Sequence, residues 1–268
     1  VSGHGPAEGA AAWFRVEPER IEAALADHRT LDAFFSPDPA EPLVLLSPLL
    51  VFAIVVGRGA SEIGDHPHVV ERIGNRQLVP VFDGADLARF TADPAARAFL
   101  VELLGSYTRV LSGPRWERSR GRWRRRRFSE MNPAQLAQLA AETPMADRAG
   151  AYRRLGDLAL FLNGVFPDNS ARQSLSPIEL GRVLRSLPPG ERIESTRLLE
   201  ASRIDGVGPV MAALGPAWYR LAATLVPIPG AATQLSHVAE HFESARRFLN
   251  FVTDRYLWER RDGLFGLA

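Results

Sequence analysis

The chain contains no cysteine and no lysine. The first absence excludes disulfides, thiolate metal sites, iron–sulfur clusters and cysteine nucleophiles together. The second excludes Schiff-base lysines and a lysine-containing phosphate loop. All 32 basic residues are therefore arginine, and with abundant Ala, Gly, Pro and Leu this matches the codon bias of a high-GC bacterial genome. Under that bias an arginine can stand wherever another genome would use lysine, so its choice alone is no sign of bidentate recognition. Long apolar runs are lacking too. The most apolar segment, Leu43 to Val56, is fourteen residues, contains Ser47-Pro48 and meets Gly57-Arg58-Gly59. A bilayer needs roughly 20 residues, so the segment reads as a buried core helix beginning near Pro48 rather than a membrane span. Residues 1–12 show no basic start followed by an apolar run, so no signal peptide is read, and the cytoplasm is the expected compartment.

At 268 residues and 46% hydrophobic content the chain can bury a substantial core. Its whole-chain charge is only +1. Residues 115–128, Arg-Trp-Glu-Arg-Ser-Arg-Gly-Arg-Trp-Arg-Arg-Arg-Arg-Phe, hold eight arginines against one glutamate, or +7, which leaves −6 for all the rest. Basicity is thus concentrated in one place. Trp116 and Arg118 before Ser119-Arg120-Gly121, with Trp123, Arg125 and Arg127 after it, alternate as a two-stranded ribbon does.

Elsewhere the pattern is helical. Ile21, Ala24 and Leu25 mark a helix within 18–27, Thr30 caps a turn to Phe35, and residues 36–39 close that hairpin. Gln77 to Phe82 reads as extended. Asp83 and Asp93-Pro94 begin the next two helices, the second carrying a stripe of Phe99, Leu100, Leu103, Leu104, Tyr107 and Leu111 that Ser112-Gly113-Pro114 stops. Helices follow from Asn132-Pro133, from near Ala146 to Val165, from Ser176-Pro177, over 192–203 and over 209–223. A last long helix is expected over 231–260, free of proline and glycine, as a surface for a homodimer. The expected fold is mainly α, a multi-helix bundle with one short Arg-rich β-hairpin. A loose tail (1–12) precedes a single helical domain (13–268), or two packed halves, 13–128 and 129–268.

Three constellations bear on function. A ribbon bearing Arg118, Arg120, Arg122 and Arg124, Arg125, Arg126 and Arg127 can follow a phosphate backbone while Trp123 stacks on a base or sugar. An acidic protein partner would suit the same charges, and solvated arginines pairing with the acidic remainder are the plain alternative.

The second is Leu198 to Leu214, where Ile204, Gly206, Val207, Gly208 and Ala212 stand at the places of an apolar residue, a Gly-apolar-Gly turn and a small residue four positions on. These residues resemble the helix-hairpin-helix DNA-binding motif. The resemblance covers residues 198–214 alone; beyond it, the whole chain merely resembles proteins of actinobacterial type. It implies that Gly206 and Gly208 let the backbone approach a phosphate held by amides of the second helix. Val210 and Met211 depart from it, standing where the motif often carries basic or hydroxylated residues, and Arg203 alone supplies local charge.

The third is His237-Val238-Ala239-Glu240-His241, which matches the His-x-x-Glu-His pattern of inverzincin metallopeptidases. On a helix His237, Glu240 and His241 share a face, as a zinc site requires, but the third protein ligand must come from elsewhere, for example His66 or His68. His241 with Phe242, Phe248 and Phe251 could equally be read as a haem pocket, necessarily non-covalent. Asp157 and Arg220 interrupt apolar helix faces, and an Arg–Asp bridge is their default pairing. The leading expectation is a non-catalytic protein that binds nucleic acid or another polyanion without a cofactor. A metal or haem enzyme and a helical scaffold are the alternatives.

Overall fold

The computed structural model describes residues 48–64, 66, 68–74, 77–119, 122–204, 206–259 and 261–266. The expected tail, the helix within 18–27 and the hairpin to residue 39 lie outside them. The fold is mainly α, with twelve helices among the described residues: α1 (Pro48–Ile63), α2 (Gly84–Ala92), α3 (Pro94–Ser106), α4 (Pro133–Glu142), α5 (Arg148–Gly164), α6 (Pro167–Arg172), α7 (Pro177–Arg185), α8 (Pro189–Ala201), α9 (Val207–Leu225), α10 (Pro229–Glu240), α11 (Phe242–Val252) and α12 (Arg261–Leu264). Two two-stranded sheets accompany them, β1 (Val69–Arg72) with β2 (Leu78–Val81), and β3 (Ser112–Ser119) with β4 (Arg122–Ser129), the second pair antiparallel. The first pair has no counterpart in the sequence reading beyond the extended piece at 77–82. Among the described residues no helix is long and apolar enough to cross a membrane.

The chain divides into two compact units, and the division does not fall at 128/129. One unit holds residues 48–71, Pro80–Thr108 and 247–266; the other holds Arg72–Val79 and Arg109–Arg246. In the first, the apolar run becomes α1, with Val51 to Val56 all buried. Each such side chain contributes on the order of 1.5–3 kcal/mol by leaving water. Phe52 stacks on Phe265 with centroids 5.5 Å apart, and α11 closes on Gly59, where an added Cβ would strike Val252 and lie 3.2 Å from Phe248. Asp93 caps α3, accepting from the Ala95 amide at 2.9 Å, while the Asp83 carboxylate makes no cap and pairs with Arg247. Arg247 also reaches the buried Glu71, at 3.3 Å. The stripe on α3 is buried as expected except Leu111, which lies beyond the helix end at Ser106 and is 68% exposed.

Glu62 organises the rim of this unit. It accepts from Arg58 Nε and Tyr256 Oη, both at 2.5 Å, and from Arg255 Nε at 2.9 Å. Burial pushes its carboxyl up, but the hydrogen bonds from Tyr256, Arg255 and Arg58 outweigh that and hold it below the usual carboxylate range. Burial and the bond to Glu62 push the Tyr256 phenol up to about 12.

In the second unit α5 and α9 form the central pair, with α4 and α6 against α5 and α10 against α9. Residues 155–164 of α5 are all buried, Asp157 included. A Cβ on Gly156 would lie 2.8 Å from the Tyr219 ring, so glycine there lets α9 approach. Tyr219 Oη donates to Asp157 at 2.8 Å and Arg153 stands 3.8 Å away. Asp157 thus has the expected Arg–Asp bridge, from Arg153 on its own helix, while Arg220 on α9 is exposed. Ser176 and Glu179 close a capping box that starts α7.

The helix expected over 231–260 is broken. α10 ends at His241 (φ −105, ψ 26), α11 follows, and residues Thr253–Leu257 form a π-helical turn. No proline or glycine causes the break; Phe242 turns in onto Tyr219, centroids 6.2 Å apart, so packing overrides local propensity. Phe248, Leu249, Val252 and Leu257 are buried within the chain itself.

Candidate nucleic-acid interface

The hairpin follows from its residues. Alternation through 116–118 and 123–127, split by Ser119-Arg120-Gly121, folds as β3 and β4 with Trp116 opposite Arg125, Arg118 opposite Trp123 and Pro114 opposite Arg127. Arg120 lies outside the described residues, as do the side chains of Arg118, Arg122, Arg124 and Arg126.

The root of the ribbon is fixed by one buried carboxylate. Glu130 Oε1 accepts from the Leu111 amide at 2.6 Å, and the Glu130 amide donates to Leu111 O at 3.1 Å. Arg154 on α5 then grips the same carboxylate, Nη2 to Oε1 at 3.0 Å and Nε to Oε2 at 3.1 Å. On the β4 side the Ser129 amide donates to Gln135 Oε1 at 2.9 Å, and Asn132 caps α4. The sequence reading missed this anchor. Its only sequence trace is an acidic residue three positions after the arginine run.

Above the root the described side chains are open to solvent. Trp116 is 61% exposed and Trp123 66%, and Arg125 and Arg127 are exposed too. Among the described residues, no ion pair involves Arg125 or Arg127. An open depression of about 480 Å³ is lined by Ser112, Gly113, Pro114, Arg125 and Arg127. Phe128, in the alternate register set, is half-buried.

The glycine turn lies between α8 and α9. α8 and α9 do make a helix–turn–helix corner. α8 ends with Arg203 in the left-handed region (φ 50), the Ile204 amide donating to Leu199 O at 2.9 Å and the Arg203 amide to Glu200 O at 3.2 Å. Gly206 has φ 89, a conformation that requires glycine. The next amide, of Val207, donates to Gln173 O at 2.9 Å. Gly208 is buried, and a Cβ there would meet Ser170 Oγ at 2.6 Å and Asn163 Oδ1 at 3.0 Å. Its bare face is thus occupied by α5 and α6, not turned outward.

At the third constellation, His237 and His241 are half-buried with ring centroids 4.4 Å apart, and Glu240 is exposed. His241 Nδ1 lies 3.0 Å from His237 O. Among the described residues no three His, Asp or Glu side chains are grouped to hold a metal ion. His66 stands against the Phe251 ring and His68 against Phe82. Of the phenylalanines beside His241 in sequence, Phe242 packs over Gly215 and Phe248 over Gly59.

No protein family, curated protein or solved structure matches the chain.

Proposed function

We propose that the chain is a non-catalytic protein of the cytoplasm that binds nucleic acid through the β3–β4 hairpin. The observation that supports this most is the pairing, on one ribbon, of exposed arginines without ion-pair partners among the described residues with two exposed tryptophans. Guanidinium groups neutralise phosphates and release counterions, an electrostatic and sequence-tolerant affinity. Arg118, Arg120, Arg122, Arg124 and Arg126 extend the same cationic stretch in the sequence. Gly206 and Gly208 are left out of this reading, since Gly208 is used in packing. An acidic protein partner is the second reading, supported by the same charges.

The test is fluorescence anisotropy with labelled DNA and RNA across a salt series, comparing wild type with Arg124 to Arg127 all changed to alanine. Four phosphate contacts predict that affinity falls roughly 50-fold on a single strand and roughly 150-fold on a duplex between 50 and 200 mM salt. The quadruple variant loses most of that slope. Binding indifferent to salt, or none at low salt, sinks the proposal, and capture of a polyglutamate peptide alone would favour the acidic partner.

A further inference from the structure

We infer that the ligand of this hairpin is a single strand of nucleic acid, with bases stacked on Trp116 and Trp123 and the adjoining phosphates held by Arg125 and Arg127. This rests on the nucleic-acid reading above and narrows it.

The register carries the argument. Directly opposed residues of an antiparallel pair share a face, and residues two apart along a strand return to it. Trp116 opposes Arg125, and Trp123 and Arg127 flank Arg125 at i−2 and i+2, so all four belong to one face. Trp116 and Trp123 are then diagonal neighbours, about 7–8 Å apart at the backbone. That spacing suits successive bases of an extended strand, each on its own indole, better than it suits one ring shared by both. The arginines continue along the same face toward the depression lined by Ser112, Gly113, Pro114, Arg125 and Arg127. A strand laid along this face meets aromatic planes at one end and open cationic space at the other.

The exposure of the indoles is itself informative. Trp218 of the same chain is fully buried, its indole Nε1 donating to Ser186 Oγ at 3.0 Å. Leaving two comparable rings more than half exposed forgoes the burial that usually stabilises tryptophan, and they add little to the fold where they stand. In a duplex the base faces are already stacked on one another. Only base edges are offered, and an indole has a single donor with which to read them. Unpaired bases offer the π-faces that two indoles can cover.

The experiment uses the full chain with labelled strands of about 12 nucleotides, within the usual range of single-strand site sizes. Single-stranded DNA, single-stranded RNA and a matched duplex are compared, with anionic phosphatidylglycerol vesicles as a further arm. The variants are Trp116→Ala with Trp123→Ala, the conservative Trp116→Phe with Trp123→Phe, and Arg125→Ala with Arg127→Ala. Circular dichroism confirms that each retains its helices. The single strand is expected to bind at least 10-fold tighter than the duplex and to quench tryptophan emission. Each Trp→Ala change should cost roughly 5- to 150-fold on the single strand, and less than 2-fold on the duplex. The phenylalanine variant should recover much of the loss. Equal affinity for duplex, or tryptophan variants that bind as wild type while the arginine variant does not, overturns the single-strand inference and leaves the nucleic-acid reading standing. Binding to vesicles with none to either nucleic acid overturns both.

Discussion

Tryptophan is used in opposite ways in the hairpin and in the α5–α9 core. Trp218 is sealed inside, its polar edge matched by Ser186. Trp116 and Trp123 stand more than half in water on a ribbon held to the body by Glu130 and Arg154. The core is specified by volume, where an added carbon on Gly156 would already meet Tyr219. The hairpin is specified by register and charge, which constrain the backbone while leaving ring faces uncovered. The buried tryptophan and the exposed ones thus belong to separate sets of residues, one set by volume and the other by register.

That separation can be broken experimentally. Trp218→Ala should cost about 3–5 kcal/mol of stability, whereas Trp116→Ala should stay within about 0.5 kcal/mol, as read from urea midpoints by near-ultraviolet dichroism. Equal losses would erase the distinction. Next in size is the anchor that joins the two regions. Arg154→Ala leaves the Glu130 carboxylate buried without its guanidinium and should cost about 3 kcal/mol. Faster hydrogen exchange at the Leu111 and Ser129 amides, with helical amides of α9 less affected, would locate the damage at the ribbon root.

The other unit responds to pH where the hairpin responds to salt. With the Tyr256 phenol raised to about 12, its contribution is fully present below the unfolded value near 10 and is lost as pH rises through 12. Glu62, held low, contributes above the ordinary carboxylate range, and that contribution is lost as pH falls through its depressed value. Tyr256→Phe should remove the alkaline step and cost about 1–2 kcal/mol at neutral pH. The smallest effect is expected at Arg203, where glycine would relieve the left-handed backbone and add about 0.5–1 kcal/mol. Nucleic-acid binding should be unchanged in both variants.

Local signals were legible in the sequence where a few neighbouring residues decide the outcome. Asp93-Pro94, Asn132-Pro133 and Ser176-Pro177 start helices because each supplies a capping oxygen and a proline that needs no amide partner. The Arg-rich hairpin was legible because a strand turns alternate side chains to opposite faces, and a helix does not. Long-range decisions were not. The break at His241 has no breaker residue, and the grip of Arg255 on Glu62 spans 193 positions. Glu130 and Arg154 are 24 positions apart, and only the fold brings them together. Gly208 matched a phosphate-binding turn in letters, yet Ser170 and Asn163 fill the space its missing side chain leaves.

The close approach of Gly156 to Tyr219 ties the inheritance of two positions on different helices, the same two that bracket the Asp157 hydrogen bond. Neither can drift alone. Any side chain at 156 needs a smaller neighbour at 219, and losing the phenol at 219 strands the carboxylate next to 156. Descendants of this chain are expected to keep the glycine–tyrosine–aspartate trio whole or to exchange all three together.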